Sequence, residues 1–260
     1  MFLLSYLLLG AIAGLIAGVF GLGGGIIIVP TLIFTFSYLN FPPEVLTHLA
    51  VGTSLATILF TSLSAIYVHH RKLAIDWSLA LKLSLGMLFG GVIGAYFAEF
   101  MSGTVLQRIF AFYCVTVALQ MWFVWSPKAI LTLPSRFGCT LLGGVIGSMS
   151  GLFGIGGGSL VVPVLTLYRV KITKAIAISA VTCFPIALSG TTGYIIMGWN
   201  NPALPEHSIG YLYWPAMLGI ILSSTIFAKF GALLAHRLEP RKLKRLFAVM
   251  LIFIAIKLFI

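Results

Sequence analysis

The sequence predicts an all-α polytopic membrane protein made of two inverted repeats, and three observations lead to this fold class. The 260-residue chain is 60% hydrophobic and only 8% charged, whereas a soluble domain carries about 25% charged residues. Apolar runs close to the ~20 residues that a helix needs to cross a bilayer recur along the chain. A glycine-rich motif near the start is found again in the second half.

The repeat is visible as matched sequence. Residues 14–34, GLIAGVFGLGGGIIIVPTLIF, are restated by residues 147–167, GSMSGLFGIGGGSLVVPVLTL. Farther on, AVGTSLATILFTSLSA at 50–65 parallels AIAISAVTCFPIALSG at 175–190, and LQRIFA at 106–111 parallels LKRLFA at 243–248. The chain is therefore expected to divide into a first repeat, residues 1–130, and a second repeat, residues 131–260, within one integral-membrane domain.

Each repeat is expected to begin with an apolar segment that is too long for one crossing. As single helices at ~1.5 Å per residue, residues 2–39 and 137–168 would reach about 57 and 48 Å, beyond the ~30 Å bilayer core. Glycines and a proline interrupt both, so each is predicted to fold back as a re-entrant hairpin or as two crossings. Three transmembrane helices should follow in each half: 45–68, 78–99 and 105–125, then 174–198, 210–235 and 244–260. His69 and His70 would lie in a loop.

The distribution of basic residues predicts the orientation. The net charge of +11 would suggest nucleic acid in a soluble protein, but here the basic residues cluster in short gaps between apolar runs, where they act as topology signals. If each glycine segment returns to its own side, twelve of the sixteen lysines and arginines become cytoplasmic. An odd number of crossings per half then inverts the second repeat and places both termini outside. No nucleic-acid partner is expected.

The glycine motifs are the first candidate site. Gly23, Gly24 and Gly25 allow the backbone to unwind, and the helix that begins near Ile26 offers free N–H donors and a partial positive charge. Two such helix ends, brought together by inverted repeats, would suit a small anion. Close helix packing is the alternative role for glycine, and the four-residue spacings of Gly86, Gly90 and Gly94 and of Gly143, Gly147 and Gly151 favour it. A phosphate-binding P-loop is disfavoured, since no Gly-Lys-Ser/Thr follows.

Hydroxyl groups on the helix after each glycine segment complete the candidate site, because the repeat aligns Ser54 with Ser179 and Thr57 with Thr182. The predicted substrate-binding residues are Gly21, Gly23, Gly24, Gly25, Thr53, Ser54, Thr57, Gly154, Gly156, Gly157, Gly158, Ser159, Ser179 and Thr182. For His48, near a membrane end, a capping or gating role and substrate contact both remain open.

No catalytic or metal site is expected. Cys114, Cys139 and Cys183 show no metal-ligand spacing and are assigned to packing. The five acidic residues lie at segment ends, which leaves no carboxylate relay across the membrane. We therefore expect neither a cofactor nor an enzyme.

The doubled GxFGxGGGxxxxP motif, followed by AVGTS, resembles the TauE/SafE family of membrane permeases, also described as sulfite exporters, over essentially the whole chain. The resemblance implies transport of sulfite, organosulfonates or related small sulfur anions across the bacterial cytoplasmic (inner) membrane. It also implies that residues 21–25, 154–158 and the Ser/Thr helices form the site. In the second half, AIAIS at 175–179 replaces AVGTS, so Ile178 stands where Thr53 has its hydroxyl.

These observations together predict a multi-pass secondary transporter for a small, sulfur-containing anion such as sulfite, thiosulfate or an organosulfonate, working by alternating access. An anion channel with the same site is one alternative, and a membrane assembly factor or enzyme for a sulfur species is another. The expected partners are the anion and the lipid bilayer, and glycine-rich helix faces leave a homodimer open.

Overall fold

The computed structural model describes residues 2–20, 24–71, 73–123, 131–235 and 240–259, and these form ten α-helices and one short β-hairpin. The elements of the first half are α1 (Phe2–Phe20), α2 (Gly25–Tyr38), α3 (Pro43–Arg71), α4 (Trp77–Glu99) and α5 (Gly103–Trp122). Those of the second half are α6 (Arg136–Phe153), α7 (Gly158–Leu167), α8 (Ile172–Gly198), β1 (Ser208–Ile209), β2 (Leu212–Tyr213), α9 (Trp214–Ala235) and α10 (Pro240–Phe259).

The described helices confirm a multi-pass helical membrane protein. Within the described ranges, α3, α4, α5 and α8 are long and apolar enough to cross a membrane, and shorter apolar stretches lie in α1, α2, α7 and α9. Large apolar side chains such as Phe89, Phe112 and Phe253 are exposed on the outside of the bundle. Exposed phenylalanines at this density fit a surface in contact with lipid.

Both long apolar segments are broken where the glycines predicted it. Helix α2 begins at Gly25 after α1 ends at Phe20, and α7 begins at Gly158 after α6 ends at Phe153. Gly24, Gly154 and Gly157 have φ of 77°, 68° and 74°, a left-handed conformation that glycine adopts at little cost. Helix α7 has 10 residues, about 15 Å at ~1.5 Å per residue, which is too short to cross the bilayer core.

Short polar side chains begin three helices. The Asp76 carboxylate accepts a hydrogen bond from Leu79 N at 3.2 Å, and the Ser102 and Ser135 hydroxyls accept from the backbone N–H three residues later. These are N-caps, which satisfy N–H groups that have no partner inside the helix. The caps fix the start of α4, α5 and α6.

Several predicted helix boundaries were wrong, and α10, for example, begins at Pro240 instead of residue 244. Helix α3 continues to Arg71, so His69 and His70 lie in a helix and not in a loop. Helix α9 begins at Trp214 instead of residue 210, because Ser208–Ile209 pair in an antiparallel hairpin with Leu212–Tyr213. Gly210, with φ of 55°, forms the turn. The apolar residues 209–213 resembled the start of a helix, but this turn and contacts to distant helices hold them extended.

The core forms by packing helices from the two halves against each other. Helix α4 packs on α6 and α8, α1 on α9, α3 on α8, and α5 on α10. The α4–α6 contact confirms the packing role of the four-residue glycine spacings, since a Cβ on Gly147 would lie 2.7 Å from Met87 Cα. Helices α2 and α7 pack on α3 and α8, respectively. Gly24 and Gly25 in the first half and residues 154–158 in the second half are therefore buried in the bundle.

Candidate functional site

The two glycine turns touch each other. A Cβ added to Gly25 would lie 2.6 Å from the carbonyl oxygen of Gly154, so only glycine permits this approach. The Ser54 hydroxyl on α3 donates a hydrogen bond to the same oxygen at 2.8 Å. The first turn, the second turn and α3 therefore meet at one buried carbonyl.

A cavity of about 250 Å³ borders these turns, and both interrupted helices begin at its wall. Gly24, the residue before α2, and Gly158, the first residue of α7, line it. Ile27 N and Ile28 N donate to Gly24 O, and Leu160 N and Val161 N donate to Gly157 O. The N–H groups at the very start of each helix have no hydrogen-bond partner within that helix. The helix dipole adds a partial positive charge at these N-termini.

The remaining cavity wall is mostly apolar, with hydroxyl groups at a few places. Aliphatic surface comes from Ile28, Ile58, Val162 and Ile176. Hydroxyl groups come from Thr61 and Ser62 on α3, Ser179 on α8 and Ser224 on α9. Among the lining residues that the structure describes, none is Asp, Glu, Lys or Arg. The described wall therefore carries no carboxylate that would oppose an anion, and the two helix N-termini contribute partial positive charge.

The cavity leads from the glycine turns toward one end of the molecule. It extends to His69, in the last turn of α3, and to Ile176, near the start of α8. Beyond Ile58 most residues of α3 are partly or fully exposed, whereas residues 45–58 are buried throughout. The cavity thus extends toward the end of the bundle that carries Arg71 and Lys174.

The β-hairpin covers the opposite end. The Tyr213 N–H donates to Thr53 Oγ1 at 3.0 Å, and the Tyr213 ring meets Phe36 and Phe41 edge-on at 5.5 and 5.2 Å between centroids. Tyr211 stacks on His48 with ring centroids 5.0 Å apart. Residues Ser208–Tyr213, called the hairpin from here on, therefore close over the buried half of α3.

Tyr211 is held by polar contacts at its hydroxyl. Asn201 Nδ2 donates to the hydroxyl oxygen at 3.0 Å, and the hydroxyl donates to Glu99 Oε1 at 3.4 Å. Burial raises the pKa of Tyr211 above its ordinary value, and the neighbouring Glu99 carboxylate raises it as well. Tyr211 therefore stays protonated, and it links the hairpin to the end of α4.

Sequence comparisons identify the family of a chain with this arrangement. The profile of the family described as "Sulfite exporter TauE/SafE" matches residues 6–258. The chain belongs to the sulfite exporter TauE/SafE family. A probable membrane transporter protein of Haemophilus influenzae is 36% identical over 260 residues, which cover 100% of this chain and 98% of that protein. One of Methanocaldococcus jannaschii is 27% identical over 240 residues, with 92% and 88% covered. No solved structure matches.

These comparisons confirm the resemblance to the TauE/SafE family. The names of the family and of its relatives describe membrane transporters, not enzymes, which also bears out the expectation of a non-enzyme. The relative in Bacillus subtilis, 26% identical over 277 residues, is again named a probable membrane transporter protein. The TauE/SafE match spans both glycine turns, so both belong to the family region.

The structure places the predicted site residues of this TauE/SafE protein in different positions. Gly24, Gly158 and Ser179 line the cavity. The turns next to the cavity contain Gly25, Gly154, Gly156 and Gly157. Cys183 Sγ donates a hydrogen bond to Gly156 O. A Cβ on Gly157 would lie 2.9 Å from Ile186 Cδ1. Gly21 and Gly23 lie outside the described residues.

The predicted hydroxyl residues are mostly occupied by protein partners. Thr57 Oγ1 donates to Ser54 O at 2.7 Å, and Thr182 Oγ1 donates to Ser179 O at 3.0 Å, so each bonds its own helix. Thr53 accepts from the hairpin, as described above. The Ser159 hydroxyl is 2.6 Å from the Tyr113 hydroxyl on α5. Thr53 and Ser159 therefore join different elements beside the cavity, whereas the Thr57 and Thr182 hydroxyls are bound within their own helices.

Several lining residues were absent from the sequence-based prediction. Thr61 lies one helical turn after Thr57, and this i, i+4 spacing places both on one face of α3. Cys183 was assigned to packing, yet it borders the cavity. The repeat shows that Cys183 and Ile58 occupy corresponding positions, because Cys183 follows Thr182 as Ile58 follows Thr57. Both side chains line the cavity.

Proposed function

We propose that this TauE/SafE protein is a secondary transporter for a small sulfur-containing anion such as sulfite, thiosulfate or an organosulfonate, and that it works by alternating access in the bacterial cytoplasmic membrane. One observation carries the proposal: Gly24 and Gly158, at the N-terminal ends of two interrupted helices, line the same cavity. Backbone N–H groups and helix dipoles at such ends favour negative charge.

The cavity chemistry suits reversible binding of an oxyanion. Charged acceptors form short, strong hydrogen bonds with N–H and O–H donors, so the helix ends and the Ser179 hydroxyl would replace part of the hydration shell of the anion. Since no lysine or arginine is among the described lining residues, the anion would be held by dipoles and released without breaking an ion pair. Transport requires this moderate binding.

The size and walls of the cavity extend the proposed substrates beyond inorganic sulfite. A volume of about 250 Å³ accommodates several water-sized groups. The sulfonate head would lie near Gly24 and Gly158, and an organic tail would contact Ile28, Ile58 and Val162. Burial of such a tail adds hydrophobic stabilisation that a bare oxyanion lacks.

The helix contacts support two repeats related by a pseudo-two-fold axis. If α1–α5 correspond to α6–α10, the contact between α4 and α6 has its counterpart between α9 and α1. The α3–α8 and α5–α10 contacts join corresponding helices. We therefore retain residues 1–130 and 131–260 as the two inverted repeats, which would rock about the central cavity.

The two repeats differ in the length of one connection, and this difference would explain why the cavity is covered at only one end. The connection from α3 to α4 spans residues 72–76, whereas that from α8 to α9 spans 199–213 and contains the hairpin. In the described part of the chain, the longer connection reaches α3 through β2. By the positive-inside rule, the end with Arg71 and Lys174 faces the cytoplasm, so this conformation would be open inward with both termini outside.

Uptake by proteoliposomes tests the proposal. Labelled sulfite, thiosulfate, sulfate and a small alkanesulfonate are offered to vesicles with and without proton or sodium gradients, and planar bilayers are used to record conductance. Saturable uptake of a sulfur anion that is accelerated by the same anion inside the vesicle is the expected result. Uptake of none by folded protein would contradict the proposal, and conductance without such exchange would favour a channel.

A further inference from the structure

His48 on α3 is a buried histidine in which only one of the two ring nitrogens has a hydrogen-bond partner among the described residues. It is 4% exposed, and its Nε2 lies 2.9 Å from the carbonyl oxygen of Ala98 on α4. A carbonyl only accepts, so Nε2 carries the hydrogen and, in the neutral ring, Nδ1 carries a lone pair. Nδ1 is buried and has no hydrogen-bond partner among the described residues. Such an atom is unusual in a folded protein.

The ring lies against the hairpin that covers the cavity. Its face stacks on Tyr211, at an interplanar angle of 30°. The hydroxyl end of Tyr211 contacts Glu99 of α4, while Tyr194 of α8 meets the Tyr211 ring edge-on. On α3 itself, Glu44 is one turn away and exposed. Glu206 and His207, exposed just before the hairpin, are the other titratable groups nearby in sequence within the described part of the chain.

We propose that His48 is a proton-binding site that couples protonation to the outer gate: the hairpin closes over a neutral His48, and a proton on Nδ1 releases it. This inference rests on the proposed function for its meaning, since the gate would admit or release the transported anion. It adds the coupling ion, a proton, and the residue that carries it.

The direction of the effect follows from the contacts. A protonated ring has a second N–H, at Nδ1, that finds no acceptor in the closed arrangement, whereas water would solvate it once the hairpin lifts. The Glu99 carboxylate follows Ala98 in the sequence and attracts a protonated ring by charge, but it accepts from the Tyr211 hydroxyl and provides no acceptor for a hydrogen on Nδ1. A proton on Nδ1 is therefore better accommodated once the hairpin has lifted, and acidification shifts the population toward opening.

Cysteine labelling tests this gate without any substrate. Thr53, fully buried beneath the hairpin, is replaced by cysteine in a chain whose Cys114, Cys139 and Cys183 are alanine. A membrane-impermeant maleimide is added to the hairpin side of vesicles at about pH 7.5 and about pH 5, the range in which histidine titrates. Because acid also lowers thiol reactivity, each rate is divided by the rate for Tyr38→Cys. Tyr38 is 86% exposed and lies two residues after Phe36, whose ring contacts Tyr213 of the hairpin.

The normalised labelling rate should rise about tenfold or more on acidification, the factor expected when an unsatisfied buried donor becomes solvated. His48→Gln retains a donor for the Ala98 carbonyl but does not titrate, so it should abolish the rise; His48→Asn provides a second neutral variant. His207→Gln, an exposed histidine next to the hairpin, should keep the rise.

A rate that stays constant or falls on acidification would overturn the proposal, as would an unchanged rise in both His48 variants. Labelling reports the gate alone. A chain that opened as expected but transported none of the sulfur anions would contradict the proposed function and leave the gate standing. If the chain transported a sulfur anion but its labelling did not depend on His48, the proposed gate would be contradicted and the proposed function would stand.

Discussion

The Ser54 hydroxyl in the first half donates a hydrogen bond to the Gly154 carbonyl in the second half, at 2.8 Å. The two residues are 100 positions apart in the sequence, and their contact joins α3 to the turn between α6 and α7. The repeat aligns Ser54 with Ser179, yet Ser179 lines the cavity instead. Two serines at equivalent positions therefore have different surroundings, and substitutions of them should have different effects.

Ser54→Ala should lower stability more than it lowers transport. The change leaves the buried Gly154 carbonyl without this donor, which costs about 1–2 kcal/mol of unfolding free energy. Chemical denaturation in detergent micelles would measure it. Ser148→Ala is the matched control, because Ser148 Oγ donates within its own helix to Gly144 O; an equal loss in the two variants would show that Ser54 has no special structural role.

Ser179→Ala should weaken transport and leave stability nearly unchanged. Loss of one hydroxyl donor to a charged ligand costs about 1.5–3 kcal/mol, so KM for the anion should rise at least about tenfold while folding is maintained. Initial uptake rates over a range of anion concentrations would measure this. Thr192→Ala on the same helix, whose exposed hydroxyl bonds Leu188 O, should transport normally; equal KM values for the two variants would refute a role for Ser179.

Gly157→Ala should impair the second glycine turn. Its φ of 74° costs a residue with a Cβ about 1–2 kcal/mol, and the new methyl group would also press on Ile186. We expect lower thermal stability and slower uptake. Gly144→Ala is the control, since its Cβ would meet only the Gly86 carbonyl oxygen, at 3.8 Å. If Gly157→Ala behaved like Gly144→Ala, the conformation of the turn would not matter.

Modification of Cys183 should block transport. Its thiol borders the cavity, so a maleimide attached there would fill space that the anion needs. N-ethylmaleimide should inhibit the unmodified chain, a transported anion should slow the inhibition, and Cys183→Ala should be resistant. Cys114→Ala and Cys139→Ala remove buried thiols outside the cavity lining and should remain sensitive. Inhibition that persists in Cys183→Ala would place the reactive thiol elsewhere.

Local sequence determined much of the fold. The turns at Gly24 and Gly157 were predictable because consecutive glycines inside an apolar run interrupt a helix and readily adopt positive φ. The caps at Asp76 and Ser102 likewise depend on residues only three positions away. In contrast, residues 209–213 are apolar enough for a helix, and their hairpin depends on contacts with His48 and Thr53, far away in sequence.

The candidate site was only partly predictable for the same reason. The repeat pointed to both glycine turns, and Gly24 and Gly158 do lie at one cavity. Which hydroxyls face it depends on helix rotation and on neighbours such as Tyr113, which engages Ser159. The asymmetry between Ile58 and Cys183 was present in the aligned sequence, but only packing shows that both side chains border the cavity.

Uptake of a sulfur anion by Gly24→Leu and Gly158→Leu in proteoliposomes, compared with the unmodified chain, tests the central claim most directly. Both glycines line the cavity, so a leucine at either would cover the helix N-terminus that is proposed to bind the anion. Saturable uptake by the unmodified chain and none by either variant, with monodisperse folded protein in every case, is the predicted result. Uptake by both variants at the unmodified rate would contradict it.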